Sequence, residues 1–149
     1  MILTQRKSEN RRGAALVEFA LVVTIFFLFF FGILEYCRLV FVRQVVMNAS
    51  REGARYAVVN LFDSTIVADT QAVVKTKMCG LDSQTTFYTC KVYLSDSSGA
   101  SIGSAANATF GQYIAVQVDY DHKPILPSFL KMATTIRITS RDLMFSESN

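Results

Sequence analysis

The sequence predicts an α+β fold in which one long N-terminal hydrophobic helix, half transmembrane and half amphipathic, packs on a small antiparallel-sheet domain. Three observations carry this. Phe19 to Leu34 is a run of sixteen residues without a charge; Tyr36 to about Phe62 contains no Pro and a single Gly; and beyond Asp63 several segments alternate polar and apolar residues.

The apolar run comes first. Six of the twelve Phe fall between Phe19 and Phe31, and extending the run back to Ala14 gives 21 residues interrupted only by Glu18. A helix of that length reaches about 30 Å, the thickness of a bilayer's hydrocarbon layer. The basic excess sits just ahead of it. Residues 1–13 hold Arg6, Lys7, Arg11 and Arg12 against Glu9 alone, which accounts for the whole net charge of +3 and leaves the remaining residues balanced. A basic face for nucleic acid on the folded part is therefore excluded. The leader charges orient the span with its N-terminus in the cytoplasm and residues 36–149 outside.

A secretory signal peptide is cut after its apolar run at a small-x-small site, yet Leu34 is followed by Glu35, Tyr36, Cys37 and Arg38. The small residues Gly13, Ala14 and Ala15 lie in front of the run. The stretch Arg12-Gly13-Ala14-Ala15-Leu16-Val17-Glu18-Phe19-Ala20-Leu21 resembles the processing region of type IV prepilins, and within them the TadE-like (TadE/TadF) minor pseudopilins of the Flp, or tight-adherence, type IVb pilus system. The resemblance implies a pilin-like fold and cleavage between Gly13 and Ala14 by a prepilin peptidase, making Glu18 the fifth mature residue. It also implies partners in the inner membrane: other pilin and pseudopilin subunits, a pilus assembly platform and a secretion ATPase. Ala14 replaces the Phe usual in type IVa pilins, Phe19 stands where the major Flp pilin has Tyr, and the mature chain is much longer than that subunit; these departures point to a minor subunit supporting adherence and biofilm formation. Only residues 12–21 are specific; weaker similarity continues through Arg51-Glu52-Gly53-Ala54-Arg55 and from Tyr113 to Glu147.

A carboxylate within the hydrocarbon costs about 3 kcal/mol and demands an explanation. One is a Glu snorkelling to the cytoplasmic edge near the positive end of the helix dipole. The other is that Glu18 pairs with the α-amine freed at Ala14 of a neighbouring subunit, which with Phe19 would set the register between otherwise apolar helices.

Polar Gln44, Asn48, Arg51 and Arg55 recur on one face of the next stretch and Val42, Val46, Ala49, Gly53 and Ala57 on the opposite one, so the helix continues as an amphipathic rod to about Phe62. The division is thus a leader at 1–13, a span at 14–34, an amphipathic extension at 35–62 and an extracytoplasmic α+β domain at 63–149. Within the last, Asp63 or Ser64 can cap a helix through about Met78 that Cys79-Gly80 ends. Strands are expected at Thr85–Leu94, Tyr113–Tyr120 and Thr134–Ser140, with a mobile loop from Ser95 to Gly111 and a short helical turn from Phe129 to Ala133.

Three cysteines allow three single pairs. Cys37 lies near the membrane, so Cys79 and Cys90 are the expected disulfide, closing a loop worth about 3 kcal/mol; two buried thiols are the alternative. Cys79, Cys90 and the lone His122 lack zinc-type spacing, and no cofactor is expected. His122, between Asp121 and Lys123, reads as part of a solvated turn. No phosphate-binding loop or nucleophile setting is present, so no catalytic residue is assigned and the chain is expected not to be an enzyme. The competing class is a single-span membrane protein whose external domain binds a ligand or partner and never enters a fibre.

Overall fold

The computed structural model describes residues 9–84, 87–125 and 133–146, with the backbone alone over 9–12. Arg6, Lys7 and the expected turn beginning at Phe129 lie outside the described residues or, for that turn, almost wholly so.

Helix α1 (Glu9–Val59) runs unbroken for 51 residues, about 75 Å at roughly 1.5 Å per residue. It starts five residues before the expected edge at Ala14, because Glu9 to Arg12 contain no helix breaker and Gly13 costs only about 1 kcal/mol in a helix interior. At its far end, Asn60 donates to Tyr56 O through both its backbone N–H (3.1 Å) and its side-chain amide (2.9 Å), which turns the chain. Helix α2 (Ile66–Lys77) begins later than the expected cap, because the Asp63 carboxylate bonds the backbone N–H and hydroxyl of Thr65 instead (3.1 and 2.8 Å). It ends as anticipated, with Cys79 and Gly80 both in the left-handed region (φ 52° and 80°).

Four antiparallel strands follow, β1 (Tyr88–Ser95), β2 (Ser101–Ser104), β3 (Tyr113–His122) and β4 (Ile136–Phe145), in the spatial order β2-β1-β3-β4. Part of the expected mobile loop is therefore structured. β2 pairs with Tyr93 to Ser95, and the 3-10 turn after it buries Ala105, with Ala108 close behind. Three of its four residues are Ser or Gly, Ile102 is its one apolar side chain and all four positions are exposed, so no apolar alternation marks it.

Both helices pack on one face of the sheet. Register places Cys90, Val118 and Ser140 abreast, then Val92, Val116 and Asp142, then Leu94, Ile114 and Met144. Val46, Ala49, Ala54 and Ala57 of α1 and Ile66, Val74 and Met78 near α2 meet this face and are fully buried, while Gln44, Asn48, Arg51 and Arg55 stay exposed. The helices approach closely at Gly53, where an added Cβ would stand 2.4 Å from Val74 Cγ2 and 3.3 Å from Val116 Cγ1. One polar cluster interrupts this layer: Ser50 Oγ lies 2.8 Å from Ser140 Oγ and contacts the Asp142 carboxylate, which Arg51 approaches to 3.5 Å. The opposite face is mixed, with Tyr93, Ala115 and Leu143 abreast and Tyr113 against Phe145 toward one end, and charged groups toward the other. There Asp121 holds Arg137 through two bonds of 2.8 and 3.2 Å, which keeps the Asp121 carboxyl below the usual carboxylate range.

Candidate functional site

Two regions stand out, the uncovered half of α1 and the place where that half enters the folded domain. From Gly13 to Phe30 every residue of the helix but Val23 is exposed. Leu16, Val17, Phe19, Phe29 and Ile33 are each more than 60% exposed, and Phe26 stacks on Phe30 and Phe27 on Phe31 one turn apart, with centroids 6.0 and 5.7 Å apart. Complete burial of one such side chain is worth about 1.5–3 kcal/mol, so a stripe of this size requires an apolar environment. Its most apolar eighteen-residue window has a mean hydropathy of 2.6 and none of it is buried: this helix is long and apolar enough to cross a membrane, and it is the one such helix among the described residues.

Gly13 and Ala14 lie on this rod, exposed, with nothing within 4 Å of the position a Gly13 Cβ would take. Glu18 sits one turn beyond Ala14, exposed and without an ion pair among the described residues; Phe19 is beside it, 66% exposed. These residues share one helix end. Arg11 and Arg12 continue the same helix backbone immediately before them.

The junction with the domain is a feature that the sequence reading missed. Glu35, directly after the apolar run, is only 5% exposed. Its carboxylate lies 3.3 Å from Arg38 Nη1 and 3.4 Å from His122 Nε2, and accepts the Ile125 backbone N–H at 3.2 Å. Arg38 also donates to Lys123 O at 3.1 Å. His122 is thus the buried last residue of β3, 1% exposed, and the expectation of a solvated turn is corrected. The flanking Asp121 and Lys123 misled, since β3 alternates and sends His122 to the helix side while Asp121 faces Arg137 on the other. Burial pushes the His122 pKa down, and the Arg38 charge does so further, against the opposing pull of Glu35. His122 Nδ1 has no hydrogen-bond partner among the described residues. A carboxylate immediately after sixteen uncharged residues was the available signal, because it must find donors or pay for desolvation.

The cysteines do not form the expected bond: Cys37, Cys79 and Cys90 are free thiols. The left-handed backbone at Cys79 carries its Sγ outward to Lys77 O (3.5 Å) and into a crevice with Arg38, Phe41 and Tyr120. Cys90 lines a separate crevice with Gln71, Ala72 and Lys75. Burial pushes the Cys90 thiol up to about 11. In a Cys37→Ser variant without reductant, an alkylating reagent at mild alkaline pH is expected to label Cys79 readily and Cys90 about a hundred-fold more slowly, in proportion to its thiolate fraction. Two sites that resist labelling even after denaturation would restore the disulfide.

Among the described residues no three His, Cys, Asp or Glu side chains converge on a metal-sized site. Residues 13–55 match the family model described as TadE-like protein, the stretch that runs from the Gly13-Ala14 pair through the apolar helix to the close approach at Gly53. No curated protein and no solved structure matches the chain.

Proposed function

Because this chain is TadE-like over residues 13–55, we propose that it is a minor pseudopilin of the Tad pilus system, a structural subunit and not an enzyme. It is held as a single-span precursor in the inner membrane, with its sheet domain outside, until a prepilin peptidase cuts between Gly13 and Ala14. The helix then passes from lipid into a bundle of pilin helices, driven by the assembly platform and its ATPase, and primes or joins a fibre used for adherence and biofilm formation.

The observation that carries this reading is one charged side chain, Glu18, a single turn after a Gly-Ala pair on a helix otherwise uncharged to Leu34 and exposed over nearly all of its length to Phe30. Cleavage would place a new α-amine at Ala14. That amine and the Glu18 carboxylate of a neighbour can satisfy each other only in one axial register, and leaving one partner of a buried ion pair alone costs about 3–5 kcal/mol. The helix already begins at Glu9, so the scissile bond must be unwound for cleavage. Helix ends fray at little cost, and Gly13 weakens the turn that must open.

Glu18→Ala is expected to be processed normally, with Ala14 as its first residue, and to lose incorporation into fibres. The check is N-terminal sequencing of the membrane pool alongside immunodetection in sheared pili. Normal piliation would remove the pairing role, and an intact Met1 in the wild-type protein would favour the anchored module that never enters a fibre.

A further inference from the structure

The connection that leaves β3 returns to α1 at the level where the span ends. Ile125 N–H bonds Glu35, one residue past Leu34, and the Lys123 carbonyl bonds Arg38. These contacts pin residues 123–125 within about 6 Å of the end of the apolar run, measured along α1 at roughly 1.5 Å per residue. The headgroup layer beyond the hydrocarbon is itself about 5–8 Å deep on each side. At this level Ile125 is 68% exposed, Lys123 is exposed with no ion pair among the described residues, and Tyr36, at the same height on α1, is 66% exposed.

A single exposed Ile on a protein surface needs no explanation. Here its height is set by hydrogen bonds to the helix that crosses the membrane, and no linker separates the domain from the span. We propose that Lys123 and Ile125 form a second membrane contact, resting on the reading of residues 14–34 as a transmembrane helix. Ile125 enters the headgroup–acyl boundary of the leaflet from which α1 emerges, and the Lys123 ammonium meets lipid phosphates. Pro124, buried between them, restricts the backbone that presents both side chains. Tyr36 belongs to the same ring of contacts, since amphipathic aromatics favour this depth. The domain therefore sits on the bilayer surface, held by a helix through the membrane and by a shallow apolar foot beside it.

The chain contains no Trp, so each substitution can introduce a sole reporter. Ile125→Trp, Phe26→Trp and Phe62→Trp would be made in the full chain and reconstituted in phosphatidylcholine vesicles containing brominated acyl chains, with and without phosphatidylglycerol. Phe26 marks the span, and Phe62, 74% exposed, marks the far end of the domain. Interfacial side chains sit about 5–10 Å into the headgroup–acyl boundary, so Ile125→Trp should lose about half its emission to the brominated lipid, while Phe62→Trp responds only to aqueous acrylamide. Adding Lys123→Glu to the Ile125→Trp chain should reduce the lipid quenching on vesicles with phosphatidylglycerol. Ile125→Trp behaving like Phe62→Trp would overturn the contact, as would shielding from both quenchers, which would assign the residue to a protein interface. An unquenched Phe26→Trp would overturn the span reading and this one with it.

Discussion

Glu35→Ala is expected to lower the thermal midpoint of the full-length protein in detergent micelles by about 10 °C or more, the equivalent of about 3 kcal/mol for a domain of this size. The side chain meets Arg38, His122 and the Ile125 amide at once, and its removal takes the partner from the buried His122 Nε2 and from the part-buried Ile125 N–H while Arg38 turns to water. Breaking a buried, charge-assisted cluster by deleting its centre costs more than the same change at an exposed pair. Glu35→Gln should recover part of the loss, since the amide oxygen still accepts from Ile125. A double-mutant cycle with His122→Ala would give the coupling, and an additive cycle would show that the contact contributes nothing.

The same cluster makes stability depend on pH in one direction. In the folded chain His122 takes up a proton less readily than in the unfolded chain, where its pKa is near 6.5. Below that value the unfolded state binds more protons, so this contribution is complete above pH about 6.5 and is lost as pH falls. Thermal unfolding of wild type and His122→Ala across pH 5 to 8 checks the sign. A wild-type midpoint that rises on acidification, relative to the variant, would contradict it.

Gly53→Val should be as damaging, for a steric reason. An Ala Cβ already falls 2.4 Å from Val74 Cγ2, a fully buried side chain with no slack, and 3.3 Å from Val116 Cγ1 on β3. Accommodating even one methyl means prising α1 from α2, and overpacking of this kind costs about 1–3 kcal/mol, more for a branched residue. Gly53→Ala should be intermediate, and Gly13→Ala, where nothing lies within 4 Å, nearly neutral for domain stability. Equal midpoints for Gly53→Val and wild type would mean the helices separate freely.

The difference between those two glycines illustrates what the sequence could and could not disclose. The apolar run, the polar stripe from Gln44 to Arg55 and the strands around Val92 and Val116 are written in local periodicity, and all were legible. Pairings over long separations were not. Glu35 and His122 are 87 positions apart, and each sits among residues that suggest something else: a membrane edge in one case, a charged turn in the other. β2 escaped notice because Ser101 to Ser104 contribute backbone pairing and no apolar side chain to the core. The cysteines were legible as a pair by spacing, but spacing carries no direction, and the left-handed turn at Cys79 aims its sulfur away. Glu18 was conspicuous for the opposite reason, being the one charge in an otherwise uncharged stretch.

An unbroken helix also works as a protractor. Between Glu18 and Ala54, which is wholly buried against the domain, α1 advances about 54 Å and completes about ten whole turns at 3.6 residues per turn. Glu18 therefore points to the same side of the rod as Ala54, at one edge of the helix face that carries the folded domain. Any neighbour that grips this carboxylate approaches from the side of the rod on which the folded domain sits, and the direction in which the domain faces is inherited, turn by turn, from a residue some 54 Å below it.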